Sequence, residues 1–400
     1  MTGTADANRL AIDGGGKVRC EPMPCRHLFG AEDKQAVITL FDQAMEQGSD
    51  VLGYGGPREL AYCQAFAESL GGGFADGVNS GTNAVFVALR ALELEPFTEV
   101  IVPAVSDPGG VMPVVFCNCV PVPADSAPGS YNSGAEQIAA RITERTSAIV
   151  VAHIAGIPAD MDAIMELARA RHLPVIEDCA QAHGARYKGR PVGSIGDMAT
   201  FSTMFGKHHA TAGQGGVVFT RSEQQYWKVR RHADRGKPIG IEGDVSGGNV
   251  VAGLNCNMDE LHAAIGLVQL GKLPETVRKR RHLAGQLAEG CQSLRCVRMV
   301  GDPPGCEASF WFLFFRLDPD VIRIDRNAFV KALVAEGITS AGSSYLVVPT
   351  RMSWHRNHAA FGASCLPWSG ADGSRGPLEY ELPNIEAVDA RSFVLGIHED

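Results

Sequence analysis

The sequence predicts an α/β protein: a mostly parallel sheet flanked by helices, followed by a small α+β C-terminal domain. Three observations predict it. Short apolar runs such as Glu99-Val100-Ile101-Val102 and Ala148-Ile149-Val150-Val151-Ala152 read as buried strands, and they alternate with segments of helical periodicity. Near Gly271 the pattern changes: a long basic helix over 274–291 leads to the aromatic strand Phe310-Trp311-Phe312-Leu313-Phe314-Phe315 and a helix over 326–336. The chain has 400 residues, enough for a large domain over 1–270, with an N-terminal arm over 1–30, and a small domain over 271–400.

Taken in order, a helix over 32–47 ends before the glycine-rich break Gly53-Tyr54-Gly55-Gly56. A second helix, over 57–70, carries Pro57 in its first turn, where a missing N–H removes no helical bond. After Gly71-Gly72-Gly73 comes a short strand near Gly77-Val78, and Asn79-Ser80-Gly81-Thr82-Asn83 opens an apolar helix over 84–92. Strands follow at 99–102, near 120–122, at 148–152 and at 174–177, with a helix over 161–171 before the last. Parallel sheets bind ligands at the carboxyl ends of their strands, so the polar residues just beyond these strands are the ones to inspect.

Composition narrows the function. A formal net charge of −9 argues against a nucleic-acid partner. No apolar run approaches the roughly 20 residues that span a bilayer, and residues 1–19 hold no signal-like apolar stretch, so a cytoplasmic location is expected. Eleven cysteines, odd in number and irregular in spacing, read as reduced thiols. Cys117 and Cys119 lack the spacing of a structural zinc site, and His153, His183, His208 and His209 lack helical ligand spacing. No metal is expected; His183 and His209 are read as lining an active site.

Three segments carry chemistry. Ser80-Gly81-Thr82 at a helix start offers free N–H groups to a phosphate, although taken alone it is more simply a plain N-cap by Ser80 or Thr82 that needs no ligand. Asp178 ends an apolar strand, where a carboxylate needs a cationic partner such as a protonated pyridine nitrogen, or serves as a structural carboxylate or cap. Lys207 lies between the strand-like Ala199-Thr200-Phe201-Ser202 and the glycine-rich Gly213-Gln214-Gly215-Gly216, a place that suits an amine forming a Schiff base.

These motifs, in this chain order, resemble the DegT/DnrJ/StrS family of pyridoxal-phosphate (PLP)-dependent sugar aminotransferases. The resemblance extends through Val100-Ile101-Val102-Pro103, Glu177-Asp178-Cys179-Ala180-Gln181-Ala182-His183-Gly184, Tyr187-Lys188-Gly189-Arg190 and Met258-Asp259-Glu260-Leu261. It implies the PLP-dependent transferase (aspartate-aminotransferase type I) fold, working as a homodimer. It also implies residue roles: Lys207 matches the lysine that carries PLP, and Asp178 the partner of the pyridine nitrogen. Gln181 matches a residue near the ring hydroxyl, and Gly81, Thr82 and Ser202 the phosphate contacts. Asn255 matches an asparagine reaching the phosphate from the other subunit. The implied reaction is transamination of a nucleotide-linked keto sugar or a keto cyclitol, with glutamate or glutamine as donor.

Several positions depart from the family. Asp107 stands where an aromatic residue usually stacks on the cofactor, Asn257 where arginine is frequent, and Gln214 where an acidic residue precedes the glycine pair. Asp107 is read either as a contact to a hydroxyl or amine of the acceptor or as a turn residue before Pro108-Gly109, and His209 as a second substrate-side residue. One more helix is expected after His398. The rival readings are a PLP-dependent sugar dehydratase, whose known relatives carry histidine in place of the lysine, and a non-catalytic regulatory protein on the same fold. A nicotinamide-dependent oxidoreductase lacks its Gly-x-Gly-x-x-Gly turn here.

Overall fold

The computed structural model describes residues 9–243, 246–345, 347–370, 373, 377 and 379–400; the first eight residues of the expected arm lie outside them. Seven strands build the central sheet: β1 (Phe74–Val78), β2 (Glu99–Pro103), β3 (Val120–Ala124), β4 (Thr146–Ala152), β5 (Val175–Asp178), β6 (Met198–Ser202) and β7 (Gly216–Thr220). Their spatial order is β1-β7-β6-β5-β4-β2-β3. The pairs from β6 to β3 are parallel, and β7 alone runs antiparallel to its two neighbours. The mostly parallel sheet is therefore observed.

The strands read as unbroken apolar runs because both faces are covered. Ile101, Ile149, Val151, Phe201 and Phe219 point to one face, where Tyr62 and Phe66 of α2 (Pro57–Ser69) and Met161 and Ile164 of α4 (Met161–Ala170) meet them. Val100, Val102, Val150, Ile176 and Val218 point to the other, under Ala84, Val85 and Ala88 of α3 (Gly81–Ala91) and Val229 of α5 (Glu223–Ala233). Each fully buried Val, Ile, Met or Phe among them contributes about 1.5–3 kcal/mol. α1 (Ala31–Gln47) and α2 pack on α6 (Glu260–Cys291).

The helix expected over 274–291 begins earlier, at Glu260, with Pro274 inside its 32 residues. Proline reads locally as a first-turn residue, but packing on α1 and α2 holds a continuous helix through it. The expected boundary at 270/271 falls within this helix.

A second, antiparallel sheet has the order β8 (Val297–Met299), β9 (Phe312–Leu317), β11 (Ser392–Gly396), β10 (Ala341–Gly342). The aromatic strand starts two residues later than expected, because Phe310 has φ +51° and turns the chain. Leu313, Phe315 and Phe393, with Val330 of α7 (Arg326–Ala335), share one core with Ala104, Val105 and Ile154. The small sheet thus closes over the carboxyl ends of β2 and β4, the edge where ligands bind. No helix among the described residues is long and apolar enough to cross a membrane.

Candidate active site

Lys207 lies in the connection between β6 and β7. That connection is held by backbone bonds: Thr203 N–H donates to Gly215 O at 2.9 Å, Phe205 N–H to Gly213 O at 3.1 Å, and Lys207 N–H to Met204 O at 2.9 Å. Lys207 is 7% exposed, and its Nζ stands 4.0 Å from the centroid of the Trp311 ring. Burial lowers the amine to about 8, while the charges of Asp178 and Asp107 pull the other way. A lysine prepared in this way carries a neutral amine at mildly alkaline pH.

Asp178 ends β5 on the same side of the sheet. Its Oδ1 accepts from Ala180 N–H at 3.0 Å, and its Oδ2 faces Gly110, where a Cβ would stand only 2.8 Å away. Burial raises this carboxyl, with the Ala180 N–H and the Lys207 charge opposing. A carboxylate left under-satisfied in the interior favours a cationic neighbour.

The third wall is the start of α3. Ser80 caps it, its Oγ accepting from Asn83 N–H at 3.0 Å, so the cap reading holds; the cap leaves the Gly81 and Thr82 N–H groups at the positive end of the helix. A Cβ on Gly81 would stand 2.6 Å from Ser202 Cβ, so glycine is what allows the helix start and the end of β6 to meet. These walls enclose a cavity of about 160 Å³ lined by Gly81, Thr82, Asp107, Asp178, Ser202 and Lys207, with Gln214 at its edge. A phosphate at the helix start, a ring nitrogen at Asp178 and a carbonyl-derived carbon at Lys207 match the donor and acceptor sets of these walls, so the residues fit PLP.

Other expected residues lie elsewhere. Gln181 spends both ends of its amide: Oε1 accepts from Ala155 N–H at 2.8 Å, and Nε2 donates to Tyr345 Oη at 2.7 Å. His209, expected on the substrate side, is fully buried behind the cavity, its Nε2 2.7 Å from Tyr62 Oη; the aromatic packing around Tyr62 and Phe66 draws it inward. His183 is buried as well, its Nε2 2.8 Å from Ser202 O, and burial lowers it to about 4. Neither histidine lines the cavity. Asn255 is exposed and outside this chain's cavity; its Oδ1 accepts from Asn257 Nδ2 at 2.8 Å. Asn257 also donates to Asp234 Oδ1 at 3.0 Å, so it is committed to local contacts.

Asp107 is the turn residue of its second sequence reading, its Oδ1 accepting from Gly109 N–H at 2.9 Å, and it also borders the cavity. Among the described residues the cavity lining contains no aromatic ring. The aromatic groups come instead from segments beside the second sheet: Trp311 over Lys207, and Tyr345 packed edge-on against Trp311. Sequence reasoning placed Trp311 in a strand and missed this role; the positive φ of the preceding residue is invisible in composition. His153, Glu177 and Cys179 are near enough to share a cation, but the ring nitrogens of His153 and the oxygens of Glu177 are committed to hydrogen bonds. His153 Nδ1 accepts from Ala159 N–H at 3.0 Å, which places its proton on Nε2, 3.2 Å from Glu177 Oε2.

The sequence profile of the DegT/DnrJ/EryC1/StrS aminotransferase family matches residues 32–358. A GDP-perosamine synthase of Caulobacter vibrioides is 36% identical, over 69% of this chain and 73% of that protein. An L-glutamine:2-deoxy-scyllo-inosose aminotransferase of Micromonospora echinospora is 33% identical, over 97% of this chain and 92% of that protein. Among solved structures, an aminotransferase from Psychrobacter cryohalolentis superposes with a TM-score of 0.78 at 28% identity, covering 95% of this chain and 94% of that one. The matched span contains the helix-start glycine, the strand-end aspartate and the loop lysine, and the chain belongs to the DegT/DnrJ/EryC1/StrS aminotransferase family.

Proposed function

We propose that this protein is a PLP-dependent aminotransferase that moves an amino group from an amino acid to the ketone of a sugar or cyclitol. The observation that carries the reading is the buried Lys207 in one cavity with Asp178 and the start of α3. Glutamine is the donor in the name of the Micromonospora relative, and keto-cyclitol and nucleotide-sugar chemistry are the acceptor classes that the relatives' names support.

In this reading Gly81, Thr82 and Ser202 bind the phosphate of PLP, Asp178 holds the proton of its ring nitrogen, and Lys207 carries it. PLP supplies an electron sink for the pair left on a substrate carbon. The protein supplies the proton movements. Lys207 Nζ, which burial lowers to about 8, would be the base that takes the proton from the donor's α-carbon and the acid that gives it back. The Trp311 ring keeps water from the amine. A homodimer, in which Asn255 reaches the neighbouring subunit's phosphate site, and a cytoplasmic location belong to the same proposal, as does the division into large and small domains.

The test is the absorbance spectrum of purified protein, recorded before and after a panel of amino acids. A visible PLP band that one or a few amino acids bleach supports the reading. Protein that stays colourless after incubation with PLP overturns it.

A further inference from the structure

We propose that Arg26, Glu399 and Arg280 are positioning residues for Lys207, fixing its main chain and the indole that covers its amine. The proposal rests on Lys207 being the residue that carries PLP. Arg26 Nη1 donates to the carbonyl of Lys207 at 2.8 Å, and its Nε donates to Glu399 Oε1 at 2.8 Å. On the other side of that carboxylate, Arg280 of α6 donates to Glu399 Oε2 from Nε at 3.0 Å and from Nη2 at 2.9 Å. Arg280 Nη1 then reaches the carbonyls of Phe310, at 3.0 Å, and Trp311, at 3.2 Å. Trp311 Nε1 returns to the lysine loop, donating to Gly206 O at 3.1 Å.

The contacts form a closed circuit: the Lys207 carbonyl, Arg26, Glu399, Arg280, Trp311, and back to the residue before Lys207. It joins the arm, the loop, α6 and the segment after β11. The Arg280 side chain is 2% exposed and that of Glu399 is 8% exposed. A buried arginine–carboxylate–arginine set is a weak source of stability, because desolvation offsets most of the attraction. It is a strong source of geometry, because each guanidinium is a rigid fork with fixed donor directions. Fixing the Lys207 carbonyl fixes where its four-carbon stem begins; fixing the Trp311 carbonyl fixes the ring over the stem's end. The charged groups that act on the amine are Asp178 and Asp107, and the amine in turn acts on the buried His183.

The experiment labels amines of the cofactor-free protein competitively with acetic anhydride across the alkaline range and reads the Lys207 peptide by mass spectrometry. Wild type is expected to titrate near 8. In Arg26→Met the loop and the indole loosen, water reaches the amine, and the midpoint rises by about one unit or more. In the holoenzyme kcat falls about 10–100-fold with the donor KM nearly unchanged. Arg26→Lys keeps the charge, loses the fork and gives the same shift; it takes the place of Arg26→Met should that variant not fold. An unchanged Lys207 midpoint with unchanged kcat overturns the proposal, whatever happens to the melting temperature. A shifted midpoint in a protein whose cofactor sits on another lysine would instead uphold the positioning and remove the carrier role.

Discussion

Glu177 and Asp178 follow one another at the end of β5, both buried, with opposite surroundings. Glu177 is fully provided for: Oε1 accepts from Ile195 N–H at 2.7 Å and Gly196 N–H at 2.6 Å, and Oε2 from Gly193 N–H at 2.9 Å and His153 Nε2 at 3.2 Å. Burial by itself would raise this carboxyl, but His153 and the backbone donors outweigh it and hold it below its ordinary value. Asp178 has Ala180 N–H on one oxygen, and burial raises it. Strand alternation sends the first into the sheet's supporting face and the second to the cavity. A complete donor set marks a carboxylate that holds the fold; an incomplete one marks a carboxylate kept for a ligand.

The largest expected effect is at Lys207, across the cavity from the incomplete carboxylate. Lys207→Ala removes the carrier and the proton shuttle together, so turnover falls by more than the roughly 10²–10⁴-fold that a positioned acid–base group supplies. Steady-state assay of folded, PLP-incubated variant checks this, and near-normal turnover contradicts it.

Asp178→Asn keeps the shape and removes the charge. Turnover falls by orders of magnitude, while the cofactor-free protein gains stability on the order of 1 kcal/mol, as when a strained functional group is relieved. Glu177→Gln does the reverse: its amide nitrogen cannot accept from the buried donors on Oε2, so it loses about 1–3 kcal/mol of stability, with turnover per folded molecule retained. The pH dependence separates the two. The Glu177 carboxyl is lowered in the fold, so its contribution is full above its ordinary value of 4.5 and disappears as pH falls through the folded value. The Asp178 carboxyl is raised, so its cost is absent below its ordinary value of 3.8, grows as pH rises from there and is complete above its folded value. Urea melts at neutral and acid pH should therefore show two differences of opposite sign that both shrink on acidification. Destabilisation by both variants at neutral pH would break the contrast.

Smaller effects come from the rim. Asn255→Ala costs about 1.5–3 kcal/mol of cofactor binding if it reaches a neighbour's phosphate. Co-expressed with Lys207→Ala, it should recover roughly a quarter of wild-type activity through mixed dimers with one intact site. No recovery in confirmed mixed dimers removes Asn255 from the interface site. Asp107→Ala is expected to raise the acceptor KM more than the donor KM, because Asp107 lines the cavity as well as its own turn. Equal changes leave it a turn residue.

Much of this was legible in sequence. Alternating runs located the strands, and the cap at Ser80 located the helix start, because both depend on neighbours within a few positions. Asp178 and Lys207 were legible as residues out of character with their surroundings. The division of labour between Glu177 and Asp178 was not, since the donors to Glu177 come from 16 to 24 residues away. Nor was the burial of His209 against Tyr62, 147 residues distant. The unbroken α6 was hidden by Pro274, whose local preference yields to packing.

The central claim is that Lys207 carries the cofactor. Reduction of the PLP-loaded protein with borohydride, followed by peptide mapping, tests it most directly. The account predicts a single cofactor-derived mass increment on the peptide containing Lys207, absent from Lys207→Ala. An increment on any other lysine, with Lys207 unmodified, would contradict it.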